Sequence, residues 1–314
     1  MSSRSNRKSK NAGPGFGPLV FNVYKPEGMT SSDVVRHFKY HLPKGFGKIG
    51  HFGTLDPFAE GVLLIAIGQA PRFNDYIHEK FPKTYLATGV LGVESPTGDF
   101  TVAEEELDFV ECSEFSEDKL VSIIESFKGE YSQSPPAFSA TKHQGKPLYE
   151  WARQGVIIEK PEVQRHISEI ELVELNGRVV TFRVTASSGT YIRVLFEDIA
   201  KKLGTHGALK NLVRESIGPA HIEKSLLEEA WPKRDADYLV EEFGTRIDNF
   251  LDFPKLELSE NEAVKFFNGL AMHKDFENGF FWALHNGKLL GLGEFEDNLL
   301  RVRVGFGHNP LEKN

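Results

Sequence analysis

The sequence predicts an α+β fold: a large mixed, mostly antiparallel sheet flanked by helices, with a small β-rich domain at the C-terminal end. Three observations carry this expectation. The continuous apolar run Val62, Leu63, Leu64, Ile65, Ala66, Ile67 reads as a strand covered on both faces. Ile167 to Leu175 and Val179 to Ala186 flank Asn176-Gly177, a pair that suits a type I′ hairpin turn. Beyond Phe253, short strand segments follow one another closely, as in a small β-barrel. A length of 314 residues fits one large domain plus a smaller one.

The start, MSSRSNRKSK, is basic and polar and lacks the apolar core of a secretory signal, so residues 1–18 are expected to be a disordered basic arm. Leu19 to Tyr24 predicts a strand. A turn at Lys25-Pro26-Glu27-Gly28 follows, and Ser31 or Ser32 is expected to cap a helix burying Val34, Val35, Phe38 and Leu42. His37 and His41 share that helix at a zinc-compatible spacing, but no further ligand pattern follows, so they are read as solvated.

Next comes GHFGTLDPFAEG, Gly50 to Gly61. Its glycines and Pro57 forbid a helix or central strand, so it must be a loop of special shape. Asp56 is presented there by an extended backbone, because it precedes Pro57. The buried strand behind makes a rigid mount for that carboxylate.

Gln69 to Ile77 predicts a short helix, and Lys83 to Val90 a strand in which Tyr85, taken alone, is a core residue. Thr97-Gly98-Asp99 is a turn, and Ser116 caps a helix burying Leu120, Ile123, Ile124 and Phe127. From Pro135 to Gly155, Lys142, Lys146 and Arg153 interleave with Phe138, Tyr149 and Trp151, the mixture found where a surface meets phosphates and bases. Pro147 opens a short helix there and Gly155 ends it. After the hairpin, apolar positions recur at helical spacing from Tyr191 to Leu203, which places Arg193 on a first helical turn behind Gly189. Residues 225–250 read as a linker. Beyond it a helix from Ser259 to Phe267 and strands Gly279 to His285, Leu289 to Phe295 and Leu299 to Gly305 are expected.

The formal charge of −8, taken as a whole, argues against nucleic acid as a partner. Its distribution removes the objection. Eight acidic residues and no basic one lie between Glu104 and Asp118, a solvated stretch that equals the whole excess. Lys142, Lys146, Arg153, Arg193, Lys201, Lys202, Lys210 and Arg214 are left to form a basic face. No apolar run approaches the roughly 18 residues of a membrane span. The lone Cys112 fits a reducing cytoplasm.

The string at Gly50 to Gly61 resembles, at every fixed position, the G-H-x-G-T-L-D-P-x-A-x-G signature of the TruB family of tRNA pseudouridine synthases. Further matches run from Leu19 to Lys224. Lys25 to Ser31 resembles the family's K-P-x-G-x-[ST]-S motif, and Lys83 to Tyr85 its K-x-Y. Ser139 to Gly155 resembles the thumb-like insertion of the stand-alone bacterial enzymes, and Ser187 to Arg193 the motif S-x-G-T-Y-I-R. Gly207 to Arg214 is a looser match to G-x-x-x-x-L-x-R.

The resemblance implies a pseudouridine synthase-like catalytic domain at 19–224 with an RNA-gripping thumb at 135–155, a linker at 225–250 and a PUA-like RNA-binding domain at 251–308. It implies Asp56 as the catalytic carboxylate, Tyr85 stacked on the extruded uracil, and Arg193 pairing with Asp56 to keep it charged and oriented. His51, Lys25, Lys142, Lys146, Arg153, Tyr191, Leu212 and Arg214 are expected to contact RNA or substrate. The implied partner is the T arm of tRNA, gripped by a monomer without a guide RNA or membrane attachment.

Such an enzyme detaches uracil, turns it over and rejoins it through C5, with no net redox change or hydrolysis, so no cofactor or metal is expected. Attack at C6 and a glycal-like route at C1′ both remain open. A glycosidase would want a second placed carboxylate, and neither a P-loop nor a G-x-S-x-G elbow occurs. The competing readings are a tRNA-binding or folding factor with little catalysis, and a synthase acting on other RNA stem-loops.

Overall fold

The computed structural model describes residues 18–42, 47–233 and 244–307. Nearly all of the expected basic arm and the middle of the expected linker lie outside the described residues.

In chain order the first half contains β1 (Leu19–Lys25), α1 (Ser31–His41), β2 (Lys48–Phe52), β3 (Glu60–Gly68), α2 (Asn74–Lys80), β4 (Lys83–Leu91), β5 (Val93–Glu94), β6 (Asp108–Phe109), α3 (Glu117–Glu125) and β7 (Gly129–Gln133). The insertion adds β8 (Lys142–His143), β9 (Lys146–Pro147) and α4 (Leu148–Ala152). Then follow β10 (Val163–Asn176), β11 (Val179–Ala186), α5 (Ile192–Leu203), β12 (Gly207–Ile217), β13 (Ala220–His221) and β14 (Thr245–Arg246). The last strands are β15 (Lys255–Glu257), β16 (Met272–His273), β17 (Gly279–His285), β18 (Lys288–Glu296) and β19 (Leu299–Gly305).

Ten strands form one sheet in the order β14-β1-β3-β12-β4-β11-β10-β7, with β2 on β3 and β13 on β12. Only β12 with β3 is parallel there, so the sheet is mixed and mostly antiparallel as expected. β3 is buried along Gly61–Ile67 because α1 covers one face and α2 with the C-terminal strands the other. One edge of β3 pairs with β1. The other is shared: β2 takes Leu64–Gly68, while β12 takes Glu60 and Gly61. The β2–β3 loop emerges where those two partners part.

Several local expectations shift. Thr30, not Ser31 or Ser32, caps α1: its hydroxyl accepts from Asp33 N, and the Asp33 carboxylate accepts from Thr30 N. Pro71 tightens Ala70–Phe73 into a 3₁₀ turn ahead of α2, so the single expected helix is two pieces. In the β10–β11 hairpin Asn176 pairs with Val179, leaving Gly177 and Arg178 as the loop. Positive φ occurs only at Gly177 (+59°), the pattern of a type II′ turn rather than type I′. The 225–250 stretch is not simply a linker where described: Leu226 and Trp231 are buried under α1, and β14 pairs with β1.

The C-terminal strands form a second sheet, β15-β17-β18-β19-β16, whose edge strands do not pair with each other among the described residues. It is half of a barrel rather than a closed one. Trp282 packs on Phe73 at 5.3 Å and donates its indole N–H to Leu251 O at 2.8 Å, so both sheets share one apolar cluster.

Candidate active site

Residues 53–59 are held from below by three buried polar side chains. Lys25 Nζ donates to Pro26 O (2.8 Å), Met29 O (2.6 Å) and Pro57 O (3.3 Å). Ser31 Oγ accepts from Leu55 N at 2.9 Å and donates to Leu55 O at 3.1 Å. Arg214 donates to Val62 O, Thr54 O and Gly53 O at 2.7, 3.3 and 3.1 Å. Backbone groups that a buried loop would otherwise leave unpaired are satisfied this way. Leu55, Phe58 and Ala59 plug into the core beside Tyr85 and Ile192. Asp56 is left with about a third of its side chain exposed (34 %).

Close approach explains Gly61. Its φ is +103°, and a Cβ there would lie 2.4 Å from Arg214 O, so β12 reaches β3 only across a glycine.

Arg193, 4 % exposed on the first turn of α5, uses its whole guanidinium. Nε donates to Asp56 Oδ2 at 2.9 Å, Nη1 to Thr97 O at 2.5 Å and Nη2 to Phe138 O at 3.0 Å. Asp99 Oδ2 stands 3.7 Å from the same Nε. Asp99 is itself fixed by donors from Thr97 and Thr101. Excluding water from one side of the Asp56 pair strengthens its attraction, while the carbonyls fix the guanidinium in one orientation.

Tyr85 is buried on the β4 face that also carries Lys83 and Ala87. His51, on β2, has a buried Nδ1 with no partner among the described residues. Burial and then the Arg214 charge push its imidazole below the ordinary histidine range, which keeps it neutral at pH 7. It lines a cleft of about 420 Å³ with Ser32, Arg36 and Lys39.

Lys142, Lys146 and Arg153 are exposed on the insertion. Lys146 lies 5.5 Å from the Trp151 ring centroid and Arg153 5.4 Å from that of Tyr149. The insertion is coupled to the site twice, through Phe138 O on Arg193 and through Thr141 Oγ1 with Tyr191 OH at 2.9 Å.

Asp56, Arg193, Tyr85 and His51 therefore lie on or around one loop. Three expected contact residues do not face outward. Lys25 (0 % exposed) and Arg214 (1 %) spend their donors on loop carbonyls, and Leu212 is a core residue beside Tyr85. Two residues were missed. Asp99 was signalled only as part of a turn, and the buried Lys83 had no signal beyond its place in K-x-Y. Among the described residues no group of three or more His, Cys, Asp or Glu is placed to hold a metal. His37 and His41 instead pack ring against ring, tilted by 33° with centroids 4.1 Å apart, and His37 meets Trp231 edge-on.

Comparison with known proteins bears directly on this site. Residues 39–192 match the model of the TruB family pseudouridylate synthase N-terminal domain. The tRNA pseudouridine synthase B of Thermotoga maritima is 38% identical, the alignment covering 89% of this chain and 90% of that one. The chain belongs to the TruB family. The corresponding protein of Caldanaerobacter subterraneus is 36% identical over 90% of this TruB-family chain and 97% of its own. Among solved structures, a chain from "Crystal Structure of a Cbf5-Nop10-Gar1 Complex" superposes with a TM-score of 0.67 over 93% of this chain and 85% of that one. At 24% identity, that likeness establishes the fold.

Proposed function

We propose that this TruB-family protein isomerises uridine to pseudouridine in tRNA, at position 55 of the T loop, without a guide RNA. The observation that carries the proposal is the Asp56–Arg193 pair: an accessible carboxylate on a rigid loop, oriented by an arginine whose other donors are occupied. Cleaving and re-forming a glycosidic linkage with no net hydrolysis needs one carboxylate at the sugar or base and a dry pocket for the freed uracil. Asp56 supplies the first. For the second, the apolar side chains packed around the loop, Leu55, Phe58 and Tyr85, offer a wall that excludes water.

A uridine inside a folded tRNA elbow must be extruded, at a cost of a few kcal/mol. Stacking on Tyr85 returns about 1–3 kcal/mol of it. A neutral His51 beside the loop suits the space the base vacates, and Lys142, Lys146 and Arg153 on the coupled insertion suit the phosphates of the T arm. That insertion supports recognition of RNA without a guide. One copy carries Asp56, Tyr85 and Arg193 together, so a monomer suffices, and the lone Cys112 thiol suits the cytoplasm.

The test is an unmodified tRNA transcript incubated with wild-type protein and with Asp56→Asn, then mapped for pseudouridine by site-specific chemical labelling. Product at the T-loop uridine with wild type alone is the expected result. Tight binding without product from wild type would establish the binding-factor reading instead.

A further inference from the structure

The Asp56–Arg193 chemistry does not use Lys83, a charged group buried in the core. It is 5 % exposed, and among the described residues its ammonium has one hydrogen-bond partner, Ser188 Oγ at 3.1 Å, and no carboxylate. Its charged neighbours are also cationic. Burial first, and then the Arg214 and Arg165 charges, push its amine down to about 7. His78, beside it, is pushed to about 4 by burial and then by the Lys83 charge. Burying like charges together without a counter-ion is unfavourable, and such a cluster marks a functional site.

The cluster has a direction. Lys83 lies under the Asp56 loop: a Cβ on Gly53 would sit 3.0 Å from its Nζ. A Cβ on Gly189 would sit 3.0 Å from Arg165 Nη2, and Arg165 Nε is buried with no partner among the described residues. Ser188 opens onto a cleft of about 200 Å³, lined also by Ser187, His78 and His166. The carboxylates nearby are Glu79 on its exposed rim, the exposed Asp75, whose charge acts on His78, and Glu130, which His166 Nδ1 meets at 3.2 Å.

We infer that Lys83, Ser188 and Arg165 form a phosphate subsite that holds the RNA backbone immediately beside the extruded nucleotide. Lys83 is two residues from Tyr85 on one strand face, about 6.6 Å away along the strand, which is the scale separating a base from its own phosphate. A phosphate there supplies the missing counter-charge and returns the ammonium to its charged form. The inference rests on the proposed RNA substrate.

The test uses an unmodified T-arm stem-loop carrying a neutral methylphosphonate at one linkage at a time around the target uridine. Dissociation constants are measured for wild type, Lys83→Met and Arg165→Gln. One linkage should weaken wild-type binding about tenfold, as for a charge-assisted contact, and the same linkage should make no difference to Lys83→Met. Equal wild-type sensitivity at all linkages, or additive losses with Lys83→Met, overturns the subsite, and the wild-type scan decides even if a variant does not fold. Inorganic phosphate shifting the Lys83 side-chain resonances while every methylphosphonate leaves binding unchanged would make this a free-anion site and also overturn the inference. Conversion to pseudouridine is scored separately, so a linkage-specific effect without product would sink the isomerase reading alone.

Discussion

Arg193 Nε donates to Asp56 Oδ2 at 2.9 Å across 137 positions of sequence, joining the first turn of α5 to the loop before β3. The geometry needs a planar fork, because Asp56, Thr97 O and Phe138 O are met in three directions at once. Asp56→Asn should lower single-turnover pseudouridine formation by at least about 10⁴-fold. Arg193→Lys keeps the charge and loses the fork, so a drop of about 10²-fold is expected from misplacement of the carboxylate. Wild-type rates in Arg193→Lys would show that charge alone suffices.

Tyr85 is placed by β4 to offer a ring at the Asp56 loop. Tyr85→Phe should retain substrate engagement, whereas Tyr85→Ala should lose about 1–3 kcal/mol of it. If both lose activity equally, the hydroxyl and not the ring is what the reaction uses.

Gly61 lets β12 meet β3 and so lets Arg214 reach the loop. Gly61→Ala places a methyl 2.4 Å from Arg214 O at φ +103°. A destabilisation of at least about 2 kcal/mol is expected from overpacking and backbone strain, read as a lower urea midpoint at unchanged slope. An unchanged midpoint would mean that the two strands separate without cost.

Lys83 makes stability depend on pH with a definite sign. Its amine titrates at 10.5 in the unfolded chain and at about 7 in the free folded protein, so between those values unfolding takes up a proton. Free-protein stability should therefore rise from pH 7 toward 10 by up to a few kcal/mol, and Lys83→Met should flatten that rise. A wild-type profile that falls across this window would contradict it.

Lys142, Lys146 and Arg153 sit exposed on the insertion, where each can meet one phosphate. Replacing each by Ala should weaken tRNA binding at low salt and reduce the slope of log K against log salt by about one. Unaltered slopes would remove the insertion from the RNA interface.

Much of the fold was legible because its signals are local. The apolar run behind Asp56, the apolar spacing of α5 and the paired turns near the C-terminus each depend on residues adjacent in sequence. Asn286-Gly287 and Asp297-Asn298 do adopt positive φ at both turn residues. The misplacements share a cause. Thr30 displaced Ser31 as the helix cap because Ser31 is drawn to Leu55, a residue 24 positions away. Leu226 and Trp231 left the expected linker because the apolar underside of α1 had to be covered.

The site divides in the same way. Motif strings selected Asp56, Tyr85, Arg193 and His51, since a glycine-rich loop, a strand tyrosine and a post-glycine arginine are recognisable as strings. Only the tertiary structure decided which cations touch solvent. Lys25 and Arg214 read as RNA contacts, yet both are buried against the carbonyls of the Asp56 loop, and Lys83 lies under Gly53. A sequence determines that a lysine or arginine is charged, whereas burial and partners determine whether that charge holds a loop, waits for a phosphate or stays in water. Those depend on contacts among residues far apart in the chain, brought together when the strands pair and the helices pack on them.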